Sequence, residues 1–346
     1  MSTIARAPVR LSFGGGGTDL PAYYERHGGF VVSAAIGRYA MAVASPSADG
    51  GIGVNSADYR GWLRWPAGAI PEAGEPLSLP RAVLGWFAER GMLAAGVDLF
   101  LASEVPPGSG LGSSSAMTVA MIRALAEFAG ESMAAAQVAD LASRIEIERL
   151  GRPIGKQDPY ASAFGGLNAI SFSPEGVTVE PVTLPPGVLE CLEHRLLLFS
   201  TGLTRDSASI LADQNASTSH DVATVRRLDG LKSLTHEMRS TLEAGDLDGF
   251  GALLDEGWRL KRSIHRAISS DAIDRWYAAA REAGALGGKI AGAGGGGFLL
   301  LYAPAAAQPT VTDALRCEGL RPLAFGFDHA GASIASVPFR AAAAAV

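Results

Sequence analysis

The chain has 346 residues, of which 48% are hydrophobic and 18% charged, a composition that belongs to a folded protein and excludes wholesale disorder. With 29 Lys and Arg against 35 Asp and Glu the net charge is −6, and no run or half of the chain is basic, which argues against nucleic acid as a partner. The length exceeds the ~250–300 residues at which one core usually stops growing, so two domains are the default.

Residues 4–13 read as a short strand broken by Pro8 and closed by Gly14–Gly17. Residues 29–45 are strand-like and hairpin-prone, and 46–80 are rich in Pro, Gly, Asp and Ser around a small β patch at Trp62–Trp65. The pattern then gives a helix over 81–95, a buried strand over 97–105, a loop at 106–112 and helices over 113–128 and 134–150. Residues 165–173 and 177–182 read as paired strands, and 183–190 as the link that divides the chain into 1–185 and 186–346. Beyond it lie a strand at 194–202, helices near 205–215, 220–243, 246–267 and 271–283, and a loop running into a strand over 287–303. A last strand, which returns to either domain, and a fraying Ala-rich tail complete the chain. No regular βαβ rhythm runs through this order, which favours an α+β architecture over a doubly wound sheet.

Cys191 and Cys317 are isolated and the six His residues are scattered, so neither a disulfide scaffold nor a zinc cluster is indicated. No apolar stretch reaches 18 residues and the N-terminus has no secretory pattern, so a soluble, cytoplasmic protein with no membrane partner is expected. A homodimer is compatible with the sequence.

Glycine is over-represented, at 43 residues, and four segments concentrate the chemistry. The run Pro106-Pro107-Gly108-Ser109-Gly110-Leu111-Gly112-Ser113-Ser114-Ser115 lies between the buried strand and an amphipathic helix. Its glycines permit backbone angles that turn N–H groups inward, Ser113 or Ser114 is placed to cap the helix, and the helix end adds partial positive charge. This is an anion cradle suited to nucleotide phosphates. It lacks the Lys of GxxxxGK[ST], which excludes an ordinary P-loop ATPase, and the acidic residue and second strand of a dinucleotide fold.

A second segment delivers Arg10 on a strand and then presents Gly16, Gly17, Thr18 and Asp19 after a glycine bend, an arginine for a phosphoryl group and an aspartate for sugar hydroxyls. A third, Gly287 to Phe298, carries Gly294 and Gly295 in a side-chain-free run that reads as the wall of a site. The fourth joins Glu146-Ile147-Glu148-Arg149 to Gly155-Lys156-Gln157-Asp158. The stripe Val138, Leu141, Ala142, Ile145 extends toward Glu148 rather than Glu146, so Glu148 is expected to look inward, where a carboxylate needs a cation such as Mg²⁺. Asp158, in a short loop beside Lys156, suits a base that takes a proton from a hydroxyl.

These four segments, in this order, resemble the GHMP kinase superfamily. PPGSGLGSSSA looks like its phosphate loop, KIAGAGGGG like its third motif, and APVRLSFGGGGTD aligns without a gap to the first motif of its sugar kinases. Within the superfamily the finer resemblance is to the D-glycero-D-manno-heptose 7-phosphate kinases, through GGGTD, GKQD followed by YASAFGG, TGLTRDSASI and GALGGKIAGAGGGGF.

The resemblance implies an N-terminal ATP-binding domain containing a left-handed βαβ unit and a ferredoxin-like C-terminal domain, with the site between them. It implies ATP on Pro107–Ser115, Mg²⁺ on Ser114 and Glu148 with Glu146 as the alternative, Asp158 as base, and Arg10 and Lys156 as charge at the transferring phosphoryl. Thr18 and Asp19 would meet the sugar, and Arg205 and Arg262 are candidates for a 7-phosphate. Val9 replaces the usual glycine of the first motif, and Pro159 follows Asp158, disfavouring a helical conformation there. The competing readings are another sugar kinase of the same fold, fucokinase- or galactokinase-like, and a non-catalytic sugar or nucleotide sensor, which would need neither base nor metal.

Overall fold

A computed structural model of the chain describes residues 1–203 and 207–337. In chain order the elements are β1 (Ser2–Gly14), α1 (Pro21–His27), β2 (Gly29–Pro46), β3 (Ile52–Ser56), β4 (Gly61–Trp65), α2 (Ser78–Ala88), β5 (Val97–Ser103), α3 (Ser113–Phe128) and α4 (Ala135–Arg144). A π turn (Ile145–Arg149) follows, then α5 (Gln157–Phe164), β6 (Leu167–Ser173), β7 (Gly176–Pro181), α6 (Val188–Arg195), β8 (Leu196–Ser200) and α7 (Ser207–His220). The remainder is α8 (Val222–Glu243), α9 (Leu247–Arg262), a 3₁₀ turn (Arg266–Ile268), α10 (Asp271–Glu282), β9 (Gly287–Ile290), β10 (Phe298–Tyr302), α11 (Gln308–Cys317), β11 (Arg321–Pro322) and β12 (Ser333–Val337).

Two sheets organise these elements. The first runs β12-β1-β2-β5-β3-β4, with β6 and β7 added alongside the first half of β2. All its pairings are antiparallel except β3 with β5, whose connection carries α2. The second is the antiparallel order β11-β8-β10-β9. The final strand pairs with β1, Ser2 opposite Val337, so the chain closes on the first sheet. Apolar residues of β1 and β2 (Val9, Leu11, Phe13, Val32, Ile36) share one buried cluster with Leu198, Leu300, Tyr302 and Phe250 of the second half. The two sheets are therefore joined through a common interior, not a hinge of bare loop.

Three local departures from the sequence reading have physical causes. Pro8 does not break β1. The missing N–H falls at a register shift, Pro8 pairing with Tyr39 and Val9 with Ile36, and beyond the stretch that β12 covers. The same shift absorbs Gly37 and Arg38, so the hairpin-prone segment stays one strand of 18 residues, held by β6 along its first part and β5 along its last. Gly287–Ile290 is a strand of the second sheet, which makes the glycine run after it a hairpin loop between β9 and β10.

Candidate active site

The segment between β5 and α3 winds through three glycines with positive φ, Gly108 at 74°, Gly110 at 78° and Gly112 at 77°. Gly112 is the N-cap of α3, and no side chain caps this end. The serines are spent elsewhere, Ser113 on the carbonyl of Pro106 and Ser114 on Glu146, contrary to the expectation that one of them caps. The first N–H groups of a 16-residue helix are thus left for a ligand, and the helix end favours an anion there. Ser109, Leu111 and Ser115 are buried and secure the loop, whereas Pro107, Gly108, Ser113 and Ser114 line a cavity of about 370 Å³. That cavity runs back between Tyr59 of the β3–β4 turn and Leu77–Leu79 at the start of α2.

Arg10 lies under the loop, 4% exposed, and its Nη1 donates to the carbonyl of Gly110 at 2.5 Å. Its Nε and Nη2 each donate at 2.7 Å to one oxygen of Asp158, a bidentate pair. A Cβ on Gly112 would stand 3.1 Å from Asp158 Oδ2, which shows how closely the carboxylate approaches the loop. Asp158 sits in the first turn of α5, not in a loop. Pro159 is tolerated beside it because first-turn N–H groups have no helical partner to lose.

Asp19 is buried behind this pair. Its carboxylate accepts from the N–H groups of Gly17 at 2.9 Å and Gln157 at 3.2 Å, and its carbonyl accepts from Lys156. It therefore staples the first motif to the segment carrying Asp158, and only Gly155 leaves room for the contact. Burial raises its pKa. Two buried lysines that the sequence reading gave no role lie nearby. Lys261 Nζ donates to the carbonyl of Gly16 at 2.8 Å, and burial pushes its pKa down to about 8. Lys289 on β9 reaches the carbonyl of Phe13 at 3.4 Å and is pushed down to about 7 by burial and by the charges of Lys261 and Arg10.

The expectation that Glu148 looks inward requires a correction. The Glu148 side chain is 67% exposed and pairs with Arg144 one turn back. Glu146 is the inward residue, fully buried, with Oε2 accepting from Ser114 Oγ at 2.9 Å and Oε1 from Thr118 Oγ1 at 3.0 Å. Ala139, Ala142 and Ser143 are buried together with Val138 and Leu141, so the inner face of α4 is broader than one stripe, and Glu146 is the residue four beyond Ala142. The π turn then widens the backbone and leaves Glu148 on the outer side. Ser114 and Thr118, four residues apart on α3, formed a readable signal for the opposing face. Burial raises the pKa of Glu146, opposed first by the charge of Arg152.

Other expected site residues are placed differently. The Thr18 hydroxyl is consumed by the fold, donating to the carbonyls of Gly15 and Phe30 and accepting from Phe30 N–H, because it lies at the crossing of the glycine bend with β2. The Lys156 ammonium stands 5.2 Å from the centroid of the Tyr24 ring on α1. Gly294 and Gly295 are buried against Ile268 of the 3₁₀ turn; the glycines of that hairpin that meet the phosphate loop are Gly292, against Gly110, and Gly297, against Ser109. Arg262 is paired with Asp274 at 2.9 Å, and Arg205 lies outside the described residues. Among the described residues no helix is long and apolar enough to cross a membrane.

A cradle of unpaired helix N–H groups, a cavity beside it and a carboxylate–arginine pair against the loop suit a phosphoryl-transfer class of site, and the comparisons agree. The family models for the GHMP kinase N-terminal and C-terminal domains match residues 78–166 and 238–320. The D-glycero-alpha-D-manno-heptose 7-phosphate kinase of Campylobacter jejuni is 30% identical over 324 residues, 92% of this chain and 94% of that one. A galactokinase of Streptomyces coelicolor is 29% identical, over 91% and 89% of the two chains. The crystal structure of a D-glycero-D-manno-heptose 1-phosphate kinase from Bacteroides thetaiotaomicron superposes with a TM-score of 0.82 at 26% identity, covering 97% of this chain and 100% of that one. The chain belongs to the GHMP kinases, and its two-sheet α+β architecture is the fold of that family.

Proposed function

We propose that the protein is an ATP-dependent sugar kinase whose acceptor is D-glycero-D-manno-heptose 7-phosphate, phosphorylated at the anomeric hydroxyl. The observation that carries the phosphoryl-transfer chemistry is the bidentate Arg10–Asp158 pair set against a glycine loop whose helix end is uncapped. The choice of acceptor rests on relatives whose names specify a heptose phosphate, matched over nearly the full length of both chains.

The triphosphate is assigned to Gly108–Ser115 and the N–H groups that open α3, with the nucleoside in the cavity between Tyr59 and Leu77. The sugar oxygen attacks the γ-phosphorus, the bond from that phosphorus to the bridging oxygen of ADP breaks, and the hydroxyl proton passes to Asp158. Arg10 holds the carboxylate in place through both oxygens and supplies a fixed positive charge beside the loop, so that little reorganisation is needed as charge develops. Asp19, held by two backbone N–H groups and next to Gly16 and Gly17, is assigned to orienting the sugar.

Glu146 and Ser114 fit Mg²⁺: they bring a carboxylate and a hydroxyl oxygen, both hard oxygen ligands, together next to the cradle. Held by these two residues, the ion would supply positive charge against the phosphates of the nucleotide.

A coupled assay of ADP release over heptose 7-phosphate, unphosphorylated heptose, galactose, fucose and mevalonate tests the acceptor. The expected result is the highest kcat/KM for heptose 7-phosphate. Turnover of a different acceptor with none on heptose 7-phosphate overturns the substrate and leaves the kinase; ADP release from no acceptor overturns both.

A further inference from the structure

Arg152 has no place in the reaction just described, yet it touches both groups assigned to the metal. One nitrogen, Nη1, donates to Ser114 Oγ at 2.7 Å and lies 3.4 Å from Glu146 Oε2. The backbone fixes where this side chain starts, because Arg152 N–H donates to the carbonyl of Glu146 at 3.0 Å, after Gly151 with φ of 64°. The guanidinium lines the nucleotide cavity with Tyr59, Gly108 and Ser113, and its side chain is 31% exposed. A fully buried carboxylate is costly without a positive partner, and Arg152 is the cation within reach of Glu146 among the described residues.

We propose that Arg152 is a built-in stand-in for the metal: in the nucleotide-free enzyme its guanidinium neutralises Glu146 and hydrogen-bonds Ser114, the two groups assigned to the divalent ion. A free divalent ion meets an occupied site and binds weakly. A nucleotide triphosphate entering the same cavity gives Arg152 a stronger anionic partner, releases Glu146 and Ser114, and lets metal and nucleotide bind as a unit. The inference rests on the assignment of Glu146 and Ser114 to Mg²⁺.

The test is Mn²⁺ binding to the nucleotide-free enzyme, followed by electron paramagnetic resonance of the free ion. Arg152→Gln keeps a donor for the carboxylate and removes the charge, whereas Arg152→Lys keeps the charge. If the guanidinium holds the site nine-tenths of the time, removing it tightens Mn²⁺ binding roughly tenfold. The expected pattern is therefore a roughly tenfold gain for Arg152→Gln, wild-type behaviour for Arg152→Lys, and loss of the gain when Glu146→Gln is added. Equal Mn²⁺ affinity in wild type and Arg152→Gln overturns the proposal, as does an equal gain in Arg152→Lys. If Arg152→Gln fails to melt cooperatively, millimolar Mn²⁺ should restore the transition, and a variant that Mn²⁺ does not rescue also overturns it. The metal assignment fails separately, if Glu146→Gln alone leaves the Mg²⁺ requirement for ATP turnover unchanged.

Discussion

Asp158 and Glu146 are both carboxylates beside the same loop, and their surroundings separate their roles. Asp158 is partly exposed and locked to a buried arginine, so its substitution has two consequences. Removing it outright would strand Arg10, and breaking a buried pair costs about 3–5 kcal/mol. Asp158→Asn keeps the shape and part of the hydrogen bonding. It should retain ATP binding by calorimetry and lose about 10²–10⁴-fold in kcat; turnover within a few-fold of wild type would remove Asp158 as the base. Glu146→Gln should raise the Mg²⁺ concentration needed for half-maximal activity by about tenfold or more, since a ligand charge is lost, while Glu148→Gln leaves it unchanged. Titrating Mg²⁺ at fixed ATP distinguishes the two, and an effect of Glu148→Gln alone would reverse the assignment. At this scale the sequence was readable for Arg10, which β1 delivers beneath the glycine loop, whereas it put Asp158 in a loop where α5 begins and expected a serine cap where Ser113 and Ser114 bond elsewhere. It misled where periodicity had to choose between neighbours, because a π turn begins at Ile145 and carries Glu148 outward. Lys261 and Lys289 gave no warning, since burial of a cation is a property of the packed chain and not of its motif, and Arg152 gave none because its contacts with Glu146 and Ser114 arise only on packing.

At the scale of elements, two glycine loops depend on each other. Gly110 lies so close to the carbonyl of Ala291, with φ of 78°, that a side chain there meets both backbone strain and the second hairpin. Gly110→Ala should therefore push the loop off Gly292 and Gly297, raising the KM for ATP several-fold and lowering the melting temperature by a few degrees, as a strain of about 1–3 kcal/mol does in a domain of this size. Unchanged values for both would show that the contact between the loops is not needed. The strand–loop–helix reading of the phosphate segment placed α3 where it lies, from Ser113 to Phe128, because three positive-φ glycines and an amphipathic run point the same way. The long β2 was harder to read. Its unbroken course depends on β1, β5 and β6 holding it from both sides, and local pattern carries none of that.

At the scale of the whole molecule the phosphate loop of the first half packs against the β9–β10 hairpin of the second sheet. Lys289 belongs to the second sheet and reaches the end of β1 in the first. Its charge is disfavoured there: the ordinary pKa of 10.5 falls to about 7. Between those values the unfolded chain holds the proton and the folded chain releases it, so this group makes stability rise as pH rises from about 7 toward 10. Below about 7 both states are charged and the slope ends. Melting temperatures of wild type and Lys289→Met across this range should converge or cross as pH rises, the wild type gaining on the variant; parallel curves would mean that Lys289 titrates normally in the fold. The α+β class and the order of motifs were legible from composition and spacing. The shared interior of the two halves was not, because it is built from contacts between β1 and β8–β10, elements far apart along the chain.

In the proposed reaction Asp158, held by Arg10 at the phosphate loop, accepts a proton from an anomeric hydroxyl as phosphate is transferred to it. Phosphorus-31 NMR of the enzyme with MgATP and heptose 7-phosphate reads that event directly. The expected result is a new phosphate resonance coupled to the anomeric proton, growing with ADP, and its absence with Asp158→Asn. ADP formed with no phosphorus attached at the anomeric carbon, or the same resonance appearing at wild-type rate with Asp158→Asn, would contradict it.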